Sequence, residues 1–436
     1  MSICKINRRQ FLRLIPPAAA AAALAGCGAA ASSGAASTAA STASSAASAA
    51  SEGTTEVTFW SLFTGDDGTV MDSIVDQFNK SQTAVHVSHI AMEATTDLYV
   101  KLPMVANDDA QAPDLCVVHN NYIPYLVEKG ALQPITTITD NFDNLAEDNF
   151  NSADMTHYKD ERYGAILDFP SAILYGNKDL IAKYYPEIAD DNVITWDEIF
   201  ALGDKLKAAG VINDIKPLVS SWARNDILQS LITSGGDYSK DGTTLSLTAD
   251  QMVTAIEKWK ELNDKGYFMT EDADALGMFA LGQAVFVTGG TWNLTAVKGY
   301  GFDFEMLPHV QYSADGDIVT YAVAHCFTMP QRTFTDAKIK AVGTFISWFE
   351  DNAMLWANSG AIVSYKKAAD SSDFAALPQS QVDKAGTIHR CSSFLYTSIC
   401  DETINKYGWQ PVYGHLTPED YGKTVVSEIE SQIAAQ

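Results

Sequence analysis

Leu115-Cys116-Val117-Val118 is an unbroken apolar run, and a strand that is apolar at every position needs cover on both faces. That is how the buried strands of α/β proteins are built. The surrounding pattern agrees. Val57-Thr58-Phe59-Trp60 reads as a first strand, followed by a Gly-rich loop, Thr64-Gly65-Asp66-Asp67-Gly68. Val70, Met71, Ile74, Val75 and Phe78 then recur at helical spacing. Val85 to Ile90 reads as a strand and Leu98 to Ala106 as a helix. A second series begins at Tyr163-Gly164-Ala165-Ile166-Leu167. Thr195-Trp196-Asp197-Glu198 has the form of a capping box opening a helix that Gly210 can end. Thr248 opens another, with Met252, Ile256 and Trp259 on one face and Gly266 as stop. Val285-Phe286-Val287 is a short strand, and Ile339 to Phe349 a late amphipathic helix. The alternation predicts an α/β protein in two series, with late segments shared between them.

The N-terminus carries a different kind of signal. Lys5, Arg8, Arg9 and Arg13 precede a run of low polarity from Leu14 to Gly26, ending in Leu24-Ala25-Gly26-Cys27. This is the layout of a secretory signal peptide over residues 1–26, and the last four residues resemble a lipobox. Small residues let an extended backbone enter a peptidase groove, and the Cys27 thiol is the atom that takes lipid. Arg8-Arg9-Gln10-Phe11-Leu12 resembles a twin-arginine export address, although two arginines are common in any such region. Gly28 to Gly53 is almost wholly Ala, Ser, Thr and Gly, too poor in apolar surface to offset the entropy of ordering. Residues 27–53 are therefore expected to form a lipidated tether on the outer face of the membrane.

The folded remainder, from about Glu56 to Gln436, is long for one core and fits two lobes. With 29 basic and 54 acidic residues the net charge is −25, which would be repelled by nucleic acid. Beyond Cys4 and Cys27, Cys116, Cys326, Cys391 and Cys400 remain, without a Cys-x-x-Cys pair. Cys116 and Cys326 read as buried thiols, while Cys391 and Cys400 are close enough in sequence for a local disulfide. Motifs of zinc proteases, serine hydrolases, phosphate-binding loops and dinucleotide sites are absent. His86 and His89 lie three apart on a strand and so point to opposite faces, which argues against a metal pair. The sequence points to no cofactor and no enzyme. A carbohydrate-active enzyme needs only two opposed carboxylates, and with 54 acids candidates for such a pair always exist.

Several strings together resemble the extracellular solute-binding proteins of ABC transporters, in the carbohydrate group that includes maltose-binding protein. They are Phe59-Trp60 with Phe63 to Gly68, Tyr99-Val100-Lys101-Leu102, Ala112-Pro113-Asp114-Leu115 and Gly130-Ala131-Leu132-Gln133-Pro134. They continue with Tyr163-Gly164, Leu174 to Leu180, Thr195 to Glu198, Val287 to Trp292 and Asn358 to Val363. Gly176 departs from the pattern where relatives often carry Tyr, and so does Ala361-Ile362-Val363. The resemblance implies a two-lobe periplasmic-binding-protein-like fold of type II, with ligand between lobes joined by hinge strands. By analogy lobe one holds 54–168 with 319–353 and lobe two 169–318 with 354–436. Crossings would fall near Phe169, near Tyr312–Val319 and near Asn352–Gly360. It further implies a carbohydrate ligand (an oligosaccharide), membrane permease subunits as partners, a separate ATPase and action as a monomer. A non-sugar solute such as a polyamine, or a signalling role, is compatible with the same fold.

Sugars present apolar C–H faces and rims of hydroxyls, and so call for aromatic rings, carboxylates and amides. Trp292, in a Gly-Gly-x-Trp turn after a strand, matches a family position that often stacks on ligand. Phe63, Thr64, Asp66 and Asp67 follow the first strand. His119, Asn120 and Asn121 follow the strand ending at Val118, and are expected to project into the cleft; turn formation is the plain alternative. Asp168 lies at a crossing, where a hinge hydrogen bond is the alternative. Trp222 is a second stacking candidate with Arg224 beside it, and Tyr321, His325 and Tyr365 complete the set.

Overall fold

The computed structural model describes residues 53–92 and 95–436. The signal peptide, Cys27 and most of the tether lie outside the described residues.

In chain order the first strands are β1 (Thr55–Ser61), β2 (Val85–Ala91), β3 (Leu115–His119), β4 (Leu132–Gln133), β5 (His157–Tyr158), β6 (Glu161–Arg162) and β7 (Gly164–Asp168). They are followed by β8 (Ala172–Asn177), β9 (Lys216–Ser220), β10 (Ala284–Gly290), β11 (Phe304–Pro308), β12 (Val319–Tyr321), β13 (His325–Pro330) and β14 (Ile388–Arg390). One sheet runs β2-β1-β3-β13-β4, with β7 also paired to β13. A second sheet runs β11-β8-β10-β9, and β5 and β6 form a small hairpin. β1 is parallel to β2 and β3, whereas β13 is antiparallel to β3, β4 and β7. Cover on both faces is met: Leu115, Cys116, Val117 and Val118 are completely buried. The fold is α/β with two sheets, the two-lobe architecture of type II binding proteins.

Local chemistry sets the element ends. Thr195 accepts from the Glu198 backbone N–H while Glu198 reaches back to Thr195 N–H at 2.7 Å, so the helix Trp196–Ala208 opens on a reciprocal cap. Thr248 and Gln251 repeat the device ahead of Ala249–Asp264. Gly210 and Gly266 follow these helices at positive φ (73° and 75°), where only glycine is comfortable. Thr64 to Gly68 is not a loop. The helix Gly65–Ser81 starts there, placing Asp66 and Asp67 in its first turn, where their charge suits the exposed backbone N–H groups.

The hand-over between sheets runs through three segments. β7 passes to β8 through Phe169, Pro170 and Ser171. The return falls at Ala322–Ala324 rather than 312–319. β12 pairs in parallel with β14, Ala322 bridges Ser171, and the first sheet is joined only at His325. After the helix Asp336–Asp351 the chain brings Gly360 against Leu294 and Thr291 and then pairs with the first crossing. Phe169 N–H donates to Ile362 O, Ser364 N–H to Leu167 O and Asn151 N–H to Ser364 O. The second sheet is reached at Pro378–Ala385, where Gln381 Oε1 accepts from Met306 N–H at 3.2 Å.

One apolar core runs through both sheets, and a second is built from Ala223–Thr233, Ala249–Asp264, Thr397–Tyr407 and Pro418–Ala434. Cys116, Cys326, Cys391 and Cys400 are all free thiols. Cys391 and Cys400 do not pair: Cys391 Sγ lies 3.3 Å from Asn120 Nδ2, whereas Cys400 is inside the second core. Gly176 has a steric reason, since a side chain there would meet Phe286 Cε1 at 2.8 Å and Ile181 Cδ1 at 3.0 Å. Among the described residues no helix is long and apolar enough to cross a membrane, and no group of three or more His, Cys, Asp or Glu could hold a metal ion.

Candidate functional site

A cavity of about 630 Å³ opens where the strand ends of both sheets meet the crossings. That volume is in the range of small-molecule sites, which commonly occupy the mouths of sheets and the junctions of lobes. Its floor is assembled from the end of β1, the end of β3 and the two crossing segments. Phe63 leaves β1 and wedges between His325 (4.9 Å, edge-on) and Trp356 (4.7 Å). Asp67, one helical turn further on, is half-buried, and its carboxyl is pushed up by burial and then by Asp168, with His325 acting against this.

His119 ends β3. Its backbone N–H donates to Tyr99 Oη at 3.0 Å, and the same phenol oxygen lies 2.8 Å from His119 Nδ1. Burial drives the imidazole well below its ordinary value. His119 stacks on His325 at 4.9 Å, and His325 Nδ1 meets Asp168 Oδ1 at 2.7 Å. Asp168 thus both lines the cavity and ties β7 to β13.

Asn120 and Asn121 part company. Asn120 does not reach the cavity: its Oδ1 accepts from Ala324 N–H at 2.7 Å and its Nδ2 donates to Met155 O, so it staples the 322–324 crossing. Asn121 lines the cavity, is 3% exposed, and its Oδ1 has no hydrogen-bond partner. The 3-10 turn Asn120–Tyr122 explains the divergence, since neighbouring side chains there point about 120° apart.

The opposite wall comes from the second sheet. Trp222 follows β9 and Trp292 follows β10, and their rings meet edge-to-face at 6.0 Å. They are 41% and 42% exposed, while the other tryptophans are buried or partly buried. The Trp292 indole lies over Gly290, where a Cβ would collide with Cε2, Cζ2 and Cη2; the turn is held by Tyr175 Oη donating to Gly290 O at 2.8 Å. Arg224 lies over Trp222 with its guanidinium 4.3 Å from the ring centre, and donates to Asn225 Oδ1.

Of the residues expected from sequence, Phe63, Thr64, Asp67, His119, Asn121, Asp168, Trp222, Arg224, Trp292, Tyr321 and His325 line one cavity. Asp66, exposed on the same helical turn as Asp67, does not, and Tyr365 packs on Phe150 at 5.6 Å. Sequence reasoning missed Tyr122, Trp356 and the pair Asp401–Glu402. Tyr122 sat one residue beyond the named turn. Asp401 and Glu402 had no local signal, because the helix Thr397–Tyr407 is brought in by tertiary packing alone.

Two sheets joined by crossing strands around a cavity of this make define the architecture of a solute-binding protein. Residues 73–382 match the model of the bacterial extracellular solute-binding protein family, and the chain belongs to that family. Among curated relatives, the sn-glycerol-3-phosphate-binding periplasmic protein of Yersinia pestis is 23% identical over 277 residues. The Agrobacterium fabrum protein of the same name is 25% identical over 274. These alignments take in 60% and 59% of this chain and 62% of each relative's length. The cyclic α-maltosyl-1,6-maltose binding protein of Arthrobacter globiformis superposes with a TM-score of 0.70 at 20% identity, covering 87% of this chain and 99% of that one. The sugar-binding protein MalE of Xanthomonas citri gives 0.74 at 16% identity, covering 87% and 98%. At these identities the likeness establishes the fold.

Proposed function

We propose that the protein captures a saccharide in this cavity and hands it to ABC permease subunits driven by a separate ATPase, without altering it chemically. The observation that carries this reading is the pair of exposed indoles, Trp222 and Trp292, set in one cavity with Asp67, Asp168, Asn121 and Arg224. Rings take the C–H faces of a sugar, while carboxylates and amides bridge its hydroxyls. The volume of about 630 Å³ lies within the range of small-molecule sites. The solved sugar-binding proteins of like fold support the same reading.

Phosphate recognition by the curated relatives is the specific alternative. It fits this cavity poorly, because an anion needs converging cations and the lining holds a single guanidinium, which acts on Asp401. A polyamine would instead have to share the cavity with Arg224. Export and lipidation at Cys27 would hold the binding domain outside the cell, as a monomer at the end of its tether. Residues 322–324 and the segment 167–169 paired with 362–364 would be the hinges about which the lobes close.

Thermal unfolding against mono- and oligosaccharides, sn-glycerol-3-phosphate and polyamines tests the proposal. A ligand at a hundred times its Kd adds about 2.7 kcal/mol of stability. A raised midpoint with a saccharide that is recovered intact is expected. A rise only with glycerol phosphate or polyamine would replace the sugar, and breakdown of the sugar would make the protein an enzyme.

A further inference from the structure

We infer that the helix Thr397–Tyr407 sets the specificity of this cavity, its Glu402 acting with Asp67 across the cleft to select saccharides that carry an ammonium group. The inference rests on the saccharide reading above and narrows it. The helix lies beyond residue 382, where the family match ends. It is rigidly placed. Cys400 and Ile404 are fully buried in the second core, and Tyr238 Oη donates to Asp401 Oδ1 at 2.7 Å.

Charge around the cavity does not balance. Four carboxylates line it (Asp67, Asp168, Asp401 and Glu402) against one guanidinium. Asp168 has His325 at 2.7 Å, and Arg224 acts on Asp401. That leaves Asp67 and Glu402, neither of which has a hydrogen bond or ion pair among the described residues. Asp67 is held above its ordinary value by burial and Asp168, the condition a nearby cation would relieve. Asn121 adds an independent sign that a ligand belongs here, since its buried Oδ1 lines up with no donor of the protein. The unfilled groups on both sides are acceptors. An ammonium supplies three donors and a charge, and the indole faces of Trp222 and Trp292 favour a cation as readily as a C–H face. Arg224 keeps part of the site for hydroxyl oxygens, so a mixed ligand, sugar ring plus amine, fits better than an aliphatic polyamine.

Titration calorimetry on matched pairs tests this: cellobiose against the de-acetylated β1,4-linked glucosamine disaccharide, and maltose against its 2-amino-2-deoxy counterpart. In the unmodified protein the amino member of a pair should bind about tenfold more tightly. The preference should shrink with added salt and fall below about threefold in Glu402→Gln combined with Asp67→Asn. Glu402 is exposed and Asp67→Asn gives up only a charge at a helix start, so both variants are expected to fold, which a cooperative urea transition checks. Equal or tighter binding of the neutral members overturns the inference and leaves the saccharide reading standing. An amino preference that survives both substitutions overturns the role of these carboxylates. Silence with every pair and every other saccharide overturns both readings.

Discussion

Gly290→Ala is a one-methyl change with a consequence that can be worked out in advance. Gly290 has φ −123° and ψ 165°, extended backbone open to any residue, so alanine introduces no backbone strain. Its N–H donates to Asn293 Oδ1 at 2.8 Å and its carbonyl accepts from Tyr175, and neither bond involves the new methyl. The methyl would instead stand inside the Trp292 indole, which must retreat by about an ångström. A displacement of that size forfeits roughly a quarter to a half of each dispersion contact. Aromatic stacking contributes about 0.5–1.5 kcal/mol beyond burial. Losing most of it weakens binding about three- to tenfold. Because Trp292 is 42% exposed it can move outward, and unfolding should shift by less than about 1 kcal/mol. Calorimetry with a saccharide that stabilises the protein reads the affinity, and urea unfolding reads the stability. Wild-type affinity in Gly290→Ala, with an altered tryptophan emission spectrum showing that the ring has moved, would refute a stacking role for Trp292.

Three further outcomes concern the frame behind the site. Asp226 accepts from Ser220 and from Thr288 (2.9 Å) and meets His309 Nε2 at 2.9 Å in full burial, so Asp226→Ala should cost about 3 kcal/mol in urea unfolding. Asn120→Ala removes the acceptor of Ala324 N–H and should cost about 1–3 kcal/mol, the same assay deciding whether the crossing depends on it. Glu350 is buried with neither carboxyl oxygen hydrogen-bonded, and burial raises its pKa well above the unfolded value of 4.5. Its contribution is present below that value and lost as pH rises through the folded pKa. Glu350→Gln should therefore stabilise the protein at about pH 8 and make little difference near pH 4, as urea midpoints at the two pH values would show.

Much of this was legible in the sequence because it is local. The run Leu115 to Val118 announced a strand buried on both faces, and Thr195 with Glu198 announced a helix start. Trp292 stood out as a large aromatic in a turn directly after a strand, and Trp222 as a second ring with Arg224 beside it. What could not be read depends on distant partners or on small rotations. Asn120 and Asn121 are adjacent and chemically identical, yet a 3-10 turn sends one to a crossing strand and the other to the cavity. The glycines after Thr64 suggested a loop, but Gly65 and Gly68 sit within the first turns of a helix. At Gly68 the reason is close approach, since a Cβ would lie 2.9 Å from the Phe63 carbonyl oxygen. β12 pairs with β14 across a long stretch of chain, which moved the second crossing to 322–324. Glu402 reaches the cavity only because its helix packs on Ile227, Leu228 and Leu231 of another.

Capture without chemistry is the central claim, and titration calorimetry of the protein with an oligosaccharide, followed by analysis of the sugar, tests it most directly. The account predicts saturable binding of one oligosaccharide per chain, lost on Trp222→Ala together with Trp292→Ala, with the sugar recovered intact. Absence of binding across neutral and amino-bearing saccharides, or recovery of shortened sugars, would contradict it.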